Sequence, residues 1–195
     1  MKLLLLLAVL VAVGLYAVSL YNALVTARNA YRNAFAQIDV QLTRRHDLIP
    51  NLVEAVKGYL RHERETLQAV MLARQQAQSG LHQAKTRPED PNALQALEQG
   101  EQGLSIALGR LFAVSEAYPE LRANETVMQL MEELSSTENR VAYARQAHND
   151  VVMDYNNRCE TFPGSLVARR FGFRTAQPLA LPESSARQVP RISLS

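Results

Sequence analysis

Apolar side chains fill Met1 to Val25 with a single charge, Lys2, and then thin into a repeat of three- and four-residue steps that continues through most of the chain. At about 1.5 Å of rise per residue, a helix over Leu3 to Val25 reaches roughly 35 Å, enough to cross a hydrocarbon core near 30 Å. The segment therefore reads as a transmembrane anchor, residues 1–25. A cleaved secretory leader competes, since Lys2 gives a basic start and Ala17-Val18-Ser19 a small-x-small cleavage pattern. The length of the apolar run and the unbroken periodicity beyond it favour the anchor.

Past the span, Tyr21, Leu24, Arg28, Tyr31, Phe35, Ile38, Leu42, Arg45 and Ile49 lie on one helical face interrupted by two arginines. Pro50 belongs in a first helical turn, so one helix is expected to end near Asp47, the N-cap of the next. That second helix would carry Leu52 or Val53, Val56, Leu60, Glu63, Leu67, Val70, Arg74 and Ala77, and weaken or end at Ser79-Gly80. Asp90-Pro91 restarts a helix with Leu94, Leu97, Glu101, Leu104, Leu108 and Leu111 in register, closed by Pro119. The last long helix starts at Pro119 or at an Asn124 cap, aligns Val127, Leu134, Thr137, Val141, His148, Val151 and Tyr155, and stops before Pro163.

No segment alternates as a strand does. Four amphipathic helices with short connections predict an all-α fold, an up-and-down antiparallel four-helix bundle over residues 26–162, continuous with the anchor. One tension follows: a second helix from Asn51 to Ser79 would be about 43 Å long, against about 33 Å for Thr26 to Asp47. After the bundle come an aromatic and basic segment, 163–173, and a Pro- and Ser-containing tail, 174–195, expected to be disordered.

Of 195 residues, 47% are hydrophobic, enough for one domain with a core beyond the anchor. The single Cys159 forms no internal disulfide and does not indicate a compartment. A net charge of +2 argues against a dedicated nucleic-acid binder. The charge is uneven: the body is mildly acidic, while Gly164 to Ser195 sets Arg169, Arg170, Arg174, Arg187 and Arg191 against Glu183 alone.

The run Arg44-Arg45-His46-Asp47-Leu48-Ile49-Pro50-Asn51-Leu52-Val53-Glu54, with Val56-Lys57-Gly58-Tyr59, resembles the LemA family. So do Arg28-Asn29-Ala30-Tyr31, Gln37 to Leu42, Thr137-Glu138-Asn139-Arg140-Val141-Ala142, Tyr155-Asn156, and Phe162-Pro163 with Phe171-Gly172-Phe173. The resemblance implies one N-terminal transmembrane helix and a long helical bundle, and it implies no reaction.

Ionisable residues inside apolar stripes, Arg28, Arg45, Glu63, Arg74, Glu101 and His148, are the most unusual chemistry in the domain. Charges seldom enter a core unpaired. The bland reading is stripe-edge residues or buried ion pairs that fix helix register; the sharper one is a ligand site within the bundle. No metal site or catalytic constellation is expected. His62-Glu63-Arg64-Glu65-Thr66 has Thr where a zinc-protease helix needs its second His, the other histidines stand singly, and the one-turn pairs Asp150 with Asp154 and Glu116 with Glu120 could hold a cation but look the same as solvated faces. No phosphate loop, nucleophile elbow or dinucleotide fingerprint occurs, so no cofactor is expected.

In this topology Pro163 returns to the bilayer surface, where Arg169, Arg170, Phe171 and Phe173 suit an interface; alternatively the two rings cap the open end of the core. The expected function is a non-enzymatic single-pass scaffold or adaptor in the cell envelope, partnered by the bilayer and by another membrane protein or itself. Arg28, Arg32, Arg44 and Arg45 after the span favour a cytoplasmic bundle by the positive-inside rule, whereas the signal-like start favours the opposite side.

Overall fold

The computed structural model describes residues 1–180, and these are all-α: among them no strand occurs. Four long helices dominate: α1 (Lys2–Lys57), α2 (Arg64–Thr86), α3 (Pro91–Glu116) and α5 (Glu125–Glu160). A single turn, α4 (Pro119–Arg122), links α3 to α5, and α6 (Gly164–Phe171) follows. The sequence marks several ends correctly. Asp90 caps α3 by accepting the Asn92 N–H at 3.0 Å with Pro91 in the first turn, and Asn124 caps α5 by accepting the Val127 N–H at 3.1 Å.

The expected break at Asp47 does not exist. Helix α1 passes through Asp47 and Pro50 and ends only at Lys57, before Gly58. A proline inside a helix leaves the carbonyl four residues earlier without its N–H partner. Here that carbonyl belongs to His46, and Arg74 on α2 fills the vacancy, its Nε donating to His46 O at 2.6 Å. The orphan acceptor is satisfied from a neighbouring helix, so the interruption costs less than it would in isolation.

Ser79-Gly80 is likewise no terminus, since α2 runs on to Thr86. A Cβ at Gly80 would meet Ala96 O at 2.7 Å, and one at Gly100 would meet Ala77 Cα at 2.9 Å. These glycines let the α2 and α3 backbones touch. With α2 only 23 residues long, about 35 Å, the overhang expected of the second helix is reversed, and α1, about 48 Å from Thr26 to Lys57, outruns it.

The core forms three clusters stacked along α1. Farthest from the amino terminus, Ile49, Leu52 and Val56 pack with Leu67 and Val70 of α2, Leu104 and Leu111 of α3, and Val127 and Leu134 of α5. In the middle, Phe35, Ile38 and Leu42 meet Leu81, Leu94, Leu97 and Val141. Nearest the apolar run, Leu24, Ala27 and Tyr31 meet Val152, Tyr155 and Cys159 of α5 and Ala168 of α6, with Phe173 and Ala176 packed against them. Rising residue numbers in α1 thus meet falling numbers in α2 and α5 and rising ones in α3, an alternating up-and-down order. Helices α2 and α3 contribute no side chain to the third cluster, where α6 closes the gap, and their connection touches it through Glu89 on Tyr31.

The chain after α6 departs from expectation as well. Residues 174–180 are not disordered but dock along α5 as an extended strap. Asn156 exchanges two hydrogen bonds with Ala176, at 2.9 and 2.8 Å, and Asn149 two with Leu179, at 2.7 and 2.9 Å. Tyr155 donates its hydroxyl to Arg174 O at 2.8 Å. Leu179, 2% exposed, joins the middle cluster, which explains why a Pro-containing segment orders. The rest of the expected disordered tail, 181–195, lies outside the described residues.

Candidate functional site

Helix α1 carries two environments on one rod. From Met1 to Ser19 every side chain is exposed, including Leu3 to Leu7, Leu10, Val13 and Leu15, whereas from Leu24 onward one face is buried. Exposed leucines in such density are unstable in water and stable in lipid, and this helix is long and apolar enough to cross a membrane.

Between the distal and middle clusters lies a polar layer. Arg45, 4% exposed, donates from Nη1 to Glu101 Oε2 at 3.0 Å and from Nη2 to Ser105 Oγ at 3.0 Å. The other Glu101 oxygen lies 2.7 Å from His46 Nε2. One buried carboxylate is therefore shared by two partners on α1, and Arg74 braces the backbone of one of them. Of the six residues singled out in the sequence, the structure brings together Arg45, Glu101 and Arg74.

The other three lie elsewhere. Glu63 precedes α2 at the far end, half-buried and without a capping hydrogen bond. Arg28 stacks over the Phe173 ring at 5.1 Å, with a buried Nε that has no partner among the described residues. His148 is buried between the middle and third clusters, its ring edge-on to Phe35 at 6.0 Å and Tyr31 at 6.5 Å. Burial lowers its pKa, weakly opposed by Asn149. Tyr31 is pushed up to about 12, first by burial and then by its 2.8 Å hydrogen bond to Glu89.

Beside the polar layer opens a cavity of about 450 Å³ lined by Arg45, Glu98, Glu101, Ser105, Glu138 and Arg145 among others. The strap forms part of its wall, where the Ala180 N–H donates to Glu98 Oε1 at 2.6 Å. His46 and Arg145 are functional-looking residues that the sequence reading passed over, although both sit in register: His46 four residues past Leu42, Arg145 four past Val141. Arg145 is only 8% exposed, and burial lowers its pKa against the pull of Glu101, Glu98 and Glu138. A guanidinium so placed still carries its charge at neutral pH. Among the described residues no group of acidic, His and Cys side chains could hold a metal ion.

At the opposite end, Phe171 is exposed and meets Tyr21 edge-on at 4.9 Å, while Phe173 packs against the third cluster. The two rings divide the roles considered for them: Phe173 covers the core and Phe171 faces outward, beside exposed Arg169 and Arg170.

An all-α domain whose first helix begins with an apolar, exposed run from Met1 to Ser19 defines a membrane-associated helical protein. The chain belongs to the LemA family, whose model matches residues 34–194. It is similar to the magnetosome proteins MamQ 2 and MamQ 1 of Paramagnetospirillum magneticum, each 26% identical over 175 residues that cover 80% of this chain and 63% of theirs. Protein LemA of Metamycoplasma hominis is 26% identical over 149 residues, 76% of this chain and 64% of its own length. The chain thus spans under two thirds of each of these curated relatives.

Proposed function

We propose that this chain is a single-pass scaffold or adaptor of the cell envelope, not an enzyme, and that it binds another membrane or envelope protein or a second copy of itself. The carrying observation is the unbroken α1, in which the exposed apolar run and the buried stripe belong to one helix of 56 residues. A domain fused rigidly to its span presents one set of faces at a fixed distance from the bilayer, which suits positioning of a partner. Affinity purification of the full chain from membranes should recover a stoichiometric partner or a homo-oligomer. A strictly monomeric chain in mild detergent that recovers nothing would overturn this reading.

A second role, lipid contact by α6, is favoured by the outward Phe162, Leu166 and Phe171, exposed at 79%, 59% and 61% beside Arg169 and Arg170. The chain contains no Trp, so Phe171→Trp adds its one indole, which can be excited apart from the tyrosines. In bilayer nanodiscs, brominated lipid should quench its emission. Unquenched emission matching that of a water-exposed indole would mean that Phe171 is merely part of an end cap.

A further inference from the structure

Two buried arginines face the mid-bundle cavity, and they are treated differently. Arg45 has Glu101 and Ser105. Arg145, more than nine-tenths buried, makes no ion pair among the described residues, and its buried Nε has no hydrogen-bond partner there. A buried guanidinium N–H without a partner is costly, and the cost falls sharply if a planar anion accepts it together with a neighbouring N–H of the same group.

The rest of the lining narrows what that anion is. Glu98, Glu101 and Glu138 set three carboxylates against two guanidinium groups. A dianion such as phosphate would add repulsion to a ring that is already negative, whereas a molecule carrying both an ammonium and a carboxylate leaves the local charge unchanged. Glu138 can take the ammonium: its side chain is 58% exposed, and its ion pair with Arg45 is a loose one, at 3.9 Å and outside hydrogen-bond range. A volume of about 450 Å³ accommodates an amino acid or a dipeptide and excludes a large ligand.

We infer that this cavity binds a small zwitterion of the amino-acid or dipeptide class, with its carboxylate on Arg145 and its ammonium at Glu138. The site goes beyond the scaffold reading and stands independently of it, because it involves neither the anchor nor α6. The same carboxylate chemistry also exists within the chain, in Glu183, three positions past the cavity-lining Ala180. The test therefore includes a full-length Glu183→Gln variant.

The full chain in detergent micelles is titrated with the standard amino acids, L-alanyl-L-alanine, the N-acetyl and amide forms of that dipeptide, acetate and inorganic phosphate, read by calorimetry and saturation-transfer NMR. At least one zwitterion should bind at one site, with the blocked forms about tenfold weaker. Arg145→Met and Arg145→Lys should each weaken binding about tenfold or more while helical circular dichroism is retained, the lysine because it loses the paired donors. Binding seen only in Glu183→Gln would support the carboxylate seat and identify the chain's own side chain as its competitor. No zwitterion binding in either chain up to about 10 mM, tighter binding of phosphate, or unchanged affinity in both Arg145 variants would overturn the inference.

Discussion

Two polar boundaries divide the stacked core, and they handle charge in opposite ways. Between the distal and middle clusters, Arg45, His46 and Glu101 form a linked set whose charges are matched across α1 and α3. Between the middle and third clusters, His148 sits alone against Tyr31 and Phe35, and burial favours its neutral form. Pairing a buried charge fixes which residues of two helices meet. Neutralising one fixes nothing across helices, but it lets a titratable group occupy a space that aromatic rings surround. The difference follows from the neighbours available, since α3 sets Glu101 against Arg45 and His46 at the first boundary, whereas at the second the carboxylate of Glu89 bonds Tyr31 and Arg32 and leaves His148 among the rings.

The strongest way to break this contrast is Glu101→Ala, which strands both Arg45 and His46. It should cost about 3–5 kcal/mol in chemical denaturation, whereas Arg45→Met combined with Glu101→Leu should return to within about 2 kcal/mol of the parent, the remainder reflecting His46. An equal loss in the double variant would mean that the pair itself, and not the stranded charge, sustains the layer.

A smaller effect sharpens the same boundary. Arg74→Met exposes the consequence of Pro50 by leaving the His46 carbonyl without a partner, at about 1–3 kcal/mol. In a Pro50→Ala background the restored N–H should reclaim that carbonyl, and the cost of Arg74→Met should fall below about 1 kcal/mol. Additive costs across this double-mutant cycle would argue against the link.

The smallest effect concerns His148 and depends on pH. Its folded pKa lies below the unfolded value near 6.5, so the unfolded chain takes up the proton first as the solution is acidified. The stability it contributes is complete above about pH 6.5 and is lost as pH falls toward the folded-state value. Denaturation midpoints at successive pH values should therefore decline less steeply in His148→Phe than in the parent, and parallel profiles would remove His148 from the account.

Much of this organisation is visible in the residues. The spacing of Leu24, Tyr31, Phe35, Ile38 and Leu42 gives the buried face of α1, and Asp90-Pro91 and Asn124 give the starts of α3 and α5. Pro50 misleads because its local rule is sound and the remedy, Arg74, comes from a helix 24 positions along the chain. Gly80 misleads in the same manner: what it permits is an approach to Ala96, which no local window contains. At the candidate site Arg45, Arg74 and Glu101 stood out as charges within stripes, but His46 and Arg145 lie at stripe edges, where solvated and buried residues look alike until the partner helices are placed. The strap was opaque because its anchors, Asn149 and Asn156, are half-buried polar side chains beside the α5 stripe serving backbone groups 30 and 20 positions away.

A helix that is both span and wall is also a lever. From Leu24 to Lys57 it extends about 50 Å past the start of the buried stripe, so a tilt of about 20°, ordinary for a membrane span, carries the far end roughly 17 Å sideways. Tilt responds to bilayer thickness. A thickness change too small to unseat the anchor would sweep the distal surface, with its exposed Tyr59, Met71 and Leu72, across more than the width of a helix.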